Sequence, residues 1–442
     1  MALLNEQQEA LVQDLMQFLD QSPVNFLAVA ELKRRAAAAG FVLVDAADPL
    51  PQLAPGMQLM VSKNDSSLYL VRIGRRPMAE AGFRMVCAHA DSPCFRIKPQ
   101  AEMVGELGLL RLNTEVYGGP ILSTWFDRPL SLAGRVMVRR EGQPLHPDVR
   151  LLHLRRPIMV IPNLAIHFNR QVNDGVKLSK QTDMLPLMAA TVNEEMKKEG
   201  VLLSLISEEL NISISDILDF DLYLYDTTPP STFGLQQEMI SAGRLDDLSM
   251  VHASLEALIT ASDEGIPEQT NIMAVFDNEE TGSQTKQGAG SPFLRSLIER
   301  IIIAQEGRGD DFYRAVEQAF MISADNAHAW HPNYSSKYDP TNHPHLGLGP
   351  VIKLNSSQKY ATDAVSAAVF AGICRKAGVP FQYFVNHSDV AGGSTLGNIL
   401  ASSLPVKGVD MGNGVLAMHS VRETASVADH LYCIKAFTEF YK

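Results

Sequence analysis

The chain has 442 residues, 46% of them hydrophobic and 20% charged, an ordinary globular balance in a length that exceeds one usual core, so two domains are expected. Its formal net charge of -12 argues against nucleic acid and anionic membrane as partners, because their phosphates would repel it. No apolar stretch is long enough to span a bilayer, and no charged segment followed by an apolar one opens the chain, so a cytoplasmic protein is expected.

Leu11, Leu15, Phe18 and Leu19 recur at helical spacing and predict a helix over 5–19, stopped by Ser22-Pro23; a second is predicted from Ala30 to Ala39, ended by Gly40. Strand-like runs follow at Leu59–Ser62, Ser67–Ile73 and Phe83–Ala88. The last runs into His89-Ala-Asp91. Residues two apart in extended chain face the same way, so Asp91 can accept from the far ring nitrogen of His89 and fix its tautomer for metal binding. After Pro99 the texture changes to short β-like segments rich in Gly and Pro, over 107–140 and 149–161, which predicts an inserted all-β unit. Helical patterning is expected at Met184–Lys198 and a strand at Asp219–Asp226, before Pro229-Pro230. From about Leu235 the α/β texture resumes to the C-terminus.

In that last stretch the apolar run from Asn271 to Phe276 ends in Asp277-Asn-Glu279-Glu280. Adjacent carboxylates at the end of a buried strand are costly to desolvate, so a nearby cation is expected. One of the pair, Glu280, can bind metal while the other, Glu279, handles the proton of an attacking water. Arg244-Leu-Asp246-Asp247 opens a helix-like segment over Leu248–Leu258; both acids suit an N-cap, and Asp247 suits it better. Met321-Ile-Ser-Ala-Asp325 is again apolar strand followed by acid, and Leu416-Ala-Met-His419 lies near the C-terminus. His89, Asp246, Glu280, Asp325 and His419 are thus candidate ligands at the ends of apolar runs, as a site along one rim of an α/β sheet requires.

Lys353 is a cation in the apolar run Val351–Leu354 and needs an anion, either on a substrate or inside the protein. Cys87, Cys94, Cys374 and Cys433 make no zinc-site spacing and read as small buried hydrophobes, the first two packing around His89. An oxygen and nitrogen ligand set suits zinc, manganese or cobalt. His146, His153, His252 and His430 read as surface or packing residues.

The order of these motifs, together with Asp20-Gln-Ser-Pro-Val-Asn25-Phe, Ile161-Pro-Asn-Leu-Ala-Ile-His167, Asp325-Asn-Ala-His328-Ala-Trp-His-Pro-Asn-Tyr334, Gly349-Pro-Val-Ile-Lys353-Leu-Asn and Ala417-Met-His419-Ser, resembles the M18 aminopeptidases, the aspartyl aminopeptidase family, over nearly the whole chain. The resemblance implies an α/β fold: a di-metal exopeptidase-type α/β sandwich domain, residues 1–94 and 235–442, interrupted by a β-rich dimerisation domain, residues 95–234. It implies two divalent ions per subunit, zinc first and manganese or cobalt as alternatives. One is held by Asp246, Glu280 and His419 and the other by His89, Asp246 and Asp325, with Asp246 bridging. Catalytic duties fall to Glu279 as proton carrier, to Asp91 behind His89, and to His167, which reaches a neighbouring subunit's site and stabilises the oxyanion. His328, Lys353 and Tyr360 match positions that contact substrate. The implied activity removes an N-terminal residue, Asp or Glu, from peptides with a free N-terminus, within a tetrahedral homododecamer. At Asp247 the family more often carries Asn, and the loop from Asn386 to Gly397 departs from the eukaryotic pattern. A di-metal carboxypeptidase or deacylase on the same scaffold, and a non-catalytic assembly protein, are the alternatives; the intact acidic cluster counts against the second.

Overall fold

The computed structural model describes residues 5–193 and 200–442. Contacts divide the chain into two units. The first comprises Met1–Asp91, Pro230–Met418 and Glu423–Lys442, and the second Ser92–Pro229 with His419–Arg422.

The first unit is built on a nine-stranded mixed sheet. Its strands in chain order are β1 (Val42–Leu43), β2 (Gln58–Lys63), β3 (Ser67–Arg72), β4 (Phe83–His89), β5 (Thr270–Phe276), β6 (Phe320–Ala324), β7 (Val351–Lys353), β8 (Gln382–Phe384) and β9 (Lys407–Gly412). Across the sheet the order is β1-β2-β3-β5-β4-β6-β9-β7-β8. The four strands β5, β4, β6 and β9 run parallel, with Phe276 opposite His89 and Ala324 opposite Met411, so their C-terminal ends share one edge. That edge is where an open α/β sheet offers its crevice.

Both faces of these central strands are covered, and the period of two shows it. Val86 and Ala88 of β4 with Met273 and Val275 of β5 pack into one core, while Met85 and Cys87 with Ile272, Ala274 and Phe276 pack into the other. Each fully buried Val, Ile or Phe contributes about 1.5–3 kcal/mol, so a few of them offset the several kcal/mol that burying an acid at the strand end costs. Helices α1 (Glu6–Gln21), α2 (Asn25–Ala38), α3 (Leu245–Asp263), α5 (Ala364–Lys376) and α7 (Val427–Tyr441) supply the first core; α4 (Phe293–Ala304) and α6 (Leu396–Ser403) contribute to the second. The start of α1 is set by a capping box between Asn5 and Gln8. A separate five-stranded sheet in the same unit includes Ala327–His328 beside Gly414–Leu416.

The second unit holds a six-stranded antiparallel sheet in the order Asp148–His153, Leu130–Val138, Ile217–Asp226, Cys94–Val104, Leu110–Tyr117, Leu187–Ala189. It is not all β: the helix Val201–Leu210 buries Leu202 and Ile206 in its core. The helix expected over 184–198 does not form where it is described. Pro186 interrupts it, the Leu187 N–H donates to the Val160 carbonyl, and Leu187–Ala189 joins the sheet edge; residues 194–199 of that expectation lie outside the described residues.

The unit's limits also differ from 95–234. Ser231–Phe233 pairs with Met239–Ala242 in the first unit, so the crossing falls before Pro230. His419–Arg422 groups with the second unit because Val421 enters its core and the Arg422 guanidinium donates to the carbonyls of Thr228 and Pro229. Such tertiary ties leave no pattern in the local sequence.

Candidate metal centre

Three strand ends and one helix start converge at the shared edge. β4 ends at His89, β5 is followed by Glu279 and Glu280, β6 is followed by Asp325, and the first turn of α3 carries Asp246 and Asp247. His89, Asp246, Asp247 and Asp325 are all buried, and each offers a ligand atom within 4.8 Å of the others; His89, Glu279 and Glu280 form an overlapping set by the same measure.

His89 Nδ1 donates to the backbone carbonyl of Asp91 at 3.0 Å, with the Asp91 carboxylate 3.3 Å away. A carbonyl only accepts, so Nδ1 carries a proton, and Nε2 is the ring nitrogen that can bind a metal once its own proton is displaced. That Nε2 is buried, has no hydrogen-bond partner among the described residues, and lies 3.6 Å from an Asp246 oxygen. Asp91 thus faces the ring nitrogen with both its main-chain carbonyl and its carboxylate, as a residue that orients the ring would. Its carboxylate also accepts from the backbone N–H groups of Glu279 and Glu280, each at 3.1 Å, and so fixes the turn that carries both acids.

Asp247 does not cap α3. Its oxygens accept from the backbone N–H of His89 at 3.1 Å and of Asn326 at 3.3 Å, tying β4 to the turn after β6, and the first residues of α3 are not helical. With both oxygens engaged, Asp247 is a poor ligand despite lying inside the cluster. Asp246 donates its own N–H to Glu423 at 3.0 Å, which orients the residue through its main chain.

The electrostatics call for a cation. Burial alone would keep His89 neutral, yet Asp246, Asp91 and Asp247 outweigh it and hold the imidazole well above its usual range. Burial raises Asp247, with Asp325 and Asp246 adding repulsion and His89 opposing. Burial likewise pushes Glu279 up to about 9, against His89 and with Asp325, Glu280 and Asp91. A site in which acids take up protons to relieve one another is one that a divalent ion stabilises.

Lys353 is buried and already paired: Nζ lies 3.4 Å from Asp325, donates to the Asn326 carbonyl at 3.1 Å, and sits 5.5 Å from the centre of the Tyr360 ring. Its expected anion is thus internal, not necessarily a substrate's. His328 is exposed, its ring against Phe384, and Tyr360 is buried. His419 Nδ1 donates to the Gly119 carbonyl at 3.0 Å within the second unit, and His167 is exposed in that unit. Residues that the sequence did not single out also serve here. Asn25 donates to Asp277 at 2.9 Å, and burial, with Asp91 beside it, pushes Asp277 up to about 7. Asn25 and Asn326 lie inside the motifs that carry the resemblance and Glu423 lies just beyond one, but nothing in their local pattern marked a role.

The profile described as aminopeptidase I zinc metalloprotease (M18) matches residues 18–441. The chain belongs to the M18 family. It is a metal-dependent aminopeptidase of that family, whose relatives include the probable M18 family aminopeptidase 2 of Clostridium acetobutylicum, 48% identical over 97% of both chains. The protein of the same description from Ectopseudomonas mendocina is 42% identical over 98% of both. Among solved structures, a chain of the Ape4 and Nbr1 complex superposes with a TM-score of 0.93 at 33% identity, covering 100% of this chain and 87% of that one. Chaetomium thermophilum mApe1 gives 0.86 at 28%, covering 98% of each. The S. cerevisiae mApe1 dodecamer, at 24% identity and a TM-score of 0.86 over 99% of this chain and 97% of that one, shares the fold.

The side chains fit the zinc that the M18 family implies. His89 is held by its Nδ1 so that a buried Nε2 without a hydrogen-bond partner faces the cluster, and Asp246, Asp325 and Glu280 add carboxylate oxygens of the kind zinc accepts.

Proposed function

We propose that this M18 aminopeptidase works with two divalent ions bridged by Asp246, zinc in first place and manganese or cobalt as alternatives. His89 and Asp325 complete one ligand set; Glu280 completes the other together with His419, which the resemblance supplies. The observation that carries the reading is the buried, unpartnered Nε2 of His89 facing Asp246 with Asp325 in the same cluster. Bound ions would polarise the scissile carbonyl and make an attacking water acidic.

The chain's own residues do the rest. Glu279 takes the proton of the attacking water at its carboxylate and hands it to the departing amine, a task open to it because the neighbouring Glu280 carries the ligand duty. Asp91 holds the amides of both glutamates, so proton carrier and ligand keep a constant relation. Lys353 offsets the charge of Asp325. His328, Lys353 and Tyr360 face the substrate. The acidic N-terminal preference rests on the resemblance, and an acidic substrate side chain would compete with Asp325 for Lys353.

The second unit serves assembly into a tetrahedral homododecamer in the cytoplasm. His167 lies among Leu164, Ile166 and Phe168, apolar residues that are 58%, 51% and 82% exposed, which suits a segment that meets another copy and lends His167 to its oxyanion. No helix among the described residues is long and apolar enough to cross a membrane.

The test is a panel of aminoacyl chromogenic substrates assayed after chelation and re-addition of zinc, manganese or cobalt. Activity that vanishes and returns, highest on Asp or Glu, is expected. Turnover of N-blocked peptides in place of free ones would select the carboxypeptidase or deacylase reading, and no turnover with any metal would select an assembly protein.

A further inference from the structure

Between Lys353 and α5 the chain leaves the sheet, is exposed over 356–359, and turns inward at Tyr360. One end of this excursion is fixed by β7 and the other by Asp363, which caps α5 through the Ser366 N–H. What fixes the inward turn itself is Asp410 of β9, a carboxylate with no exposed surface. One oxygen accepts the Ala361 N–H at 2.5 Å and the other accepts the Thr395 hydroxyl at 2.6 Å, while the Asp410 N–H donates to the Thr362 hydroxyl at 2.8 Å. Thr395 ends the loop that begins at Asn386 and opens α6. There the backbone closes on the same carboxylate: a Cβ on Gly397 would stand 2.5 Å from it, so only glycine fits.

We propose that Asp410 is a positioning residue for substrate binding, a latch that joins the Tyr360 turn to the Asn386–Thr395 loop and so sets where Tyr360 stands over Lys353. This rests on the proposed role of Tyr360 and Lys353 toward substrate. The latch works through hydrogen-bond geometry, with no part in proton transfer. Its loss should therefore weaken substrate binding while leaving the proton carrier and the ligand set as they were.

The obvious variant, Asp410→Ala, leaves the Ala361 amide and the Thr395 hydroxyl without their acceptor. Asp410→Asn can keep both bonds, its oxygen accepting from Ala361 and its NH2 donating to the Thr395 hydroxyl, while the charge is lost. On the best substrate of the zinc-loaded enzyme, Asp410→Ala should raise KM by at least about fivefold with kcat within about twofold, and Asp410→Asn should restore most of the loss. Thr395→Val, which removes one bond of the latch, should raise KM by about twofold to threefold, and it decides the matter if Asp410→Ala does not fold. Hydrogen exchange at the Ala361 amide reads the latch without any turnover: faster in Asp410→Ala, protected in Asp410→Asn. An unchanged KM in a folded Asp410→Ala or, failing that, in Thr395→Val would overturn the proposal. So would equal KM defects in the Ala and Asn variants, which would assign the effect to charge felt by Lys353. If the wild type turns over none of the panel, the proposed function fails, and exchange at Ala361 still decides the latch.

Discussion

Two clusters in the first unit place histidine among carboxylates, one buried and one with half-buried acids, and they differ in the source of positive charge. At the strand edge, Asp91, Asp246, Asp247, Glu279, Glu280 and Asp325 surround His89, and Lys353 is the lysine paired with them. In the helical layer, His252 Nε2 donates to Asp14 at 2.8 Å and its Nδ1 meets His430 Nε2 at 3.0 Å. There Arg35 bonds Asp14 at 2.5 Å and Glu31 at 2.7 Å, with Glu256 3.9 Å away. Asp14, His252 and Glu256 satisfy the same 4.8 Å ligand spacing as the edge cluster. Residue types and spacing are therefore no sufficient sign of a metal site. Arg35 brings a permanent cation in a fork that suits carboxylates and Arg34 adds a second on Glu31 at 2.7 Å, so Asp14 and Glu31 are already paired, while burial, with His252 adding to it, holds His430 well below its usual range. The edge cluster is anionic beyond what Lys353 can offset.

The largest effect expected from this contrast is on metal content. Asp246→Ala should cost at least about a thousandfold in activity and lower bound metal, whereas His252→Gln should keep the wild-type stoichiometry. Elemental analysis decides; equal loss from both variants would erase the distinction. Next comes Glu279→Gln, expected to retain metal but to lose at least about a hundredfold in kcat, and near-normal turnover would remove Glu279 from the mechanism. Chelation should destabilise the wild type by about 2.7 kcal/mol relative to ion at a hundred times its dissociation constant, and leave Asp246→Ala almost unaffected. Thermal melts with and without chelator measure both.

The smallest effect belongs to the helical cluster. Burial opposes ionisation of Asp14, but bonds and charges from His252 and Arg35 outweigh it and hold its carboxyl below the ordinary 3.8. A depressed carboxylate stabilises the fold above its unfolded value and loses that contribution as pH falls through the folded one. Asp14→Asn should thus cost about 1–3 kcal/mol at pH 7, with the gap to wild type narrowing below pH 3.8. Urea unfolding in chelator at both ends of that range checks it, and a gap independent of pH would deny the ion pair its role.

Much of the fold was legible because hydrophobic periodicity is a local property. The helix over 5–19 is α1, observed as Glu6–Gln21, and the run ending at Ala88 is β4. The second helix begins at Asn25, five residues earlier than Ala30, because Asn25 to Val29 are all buried and hide the amphipathic start. Over 184–193, the described part of the helix expected at 184–198, the pattern gave way at Pro186, where a strand-edge bond was available. Asp247 looked like a cap because Asp before an apolar helix usually is one. It became a tie between strand ends because β4 and the turn after β6 bring two amides to it.

By itself the sequence determined the central strands, the acids and histidine that end them, and the adjacency of Glu279 and Glu280, all of which depend on residues close in the chain. Tertiary structure alone decided that Lys353 pairs with Asp325, that Asp91 holds the glutamate turn, that Arg35 neutralises the second histidine cluster, and that Asp410 latches two loops. The physical reason is common to all four. A buried charge takes whatever partner the packed strands and helices bring within about 3 Å, and that partner can stand anywhere in the sequence.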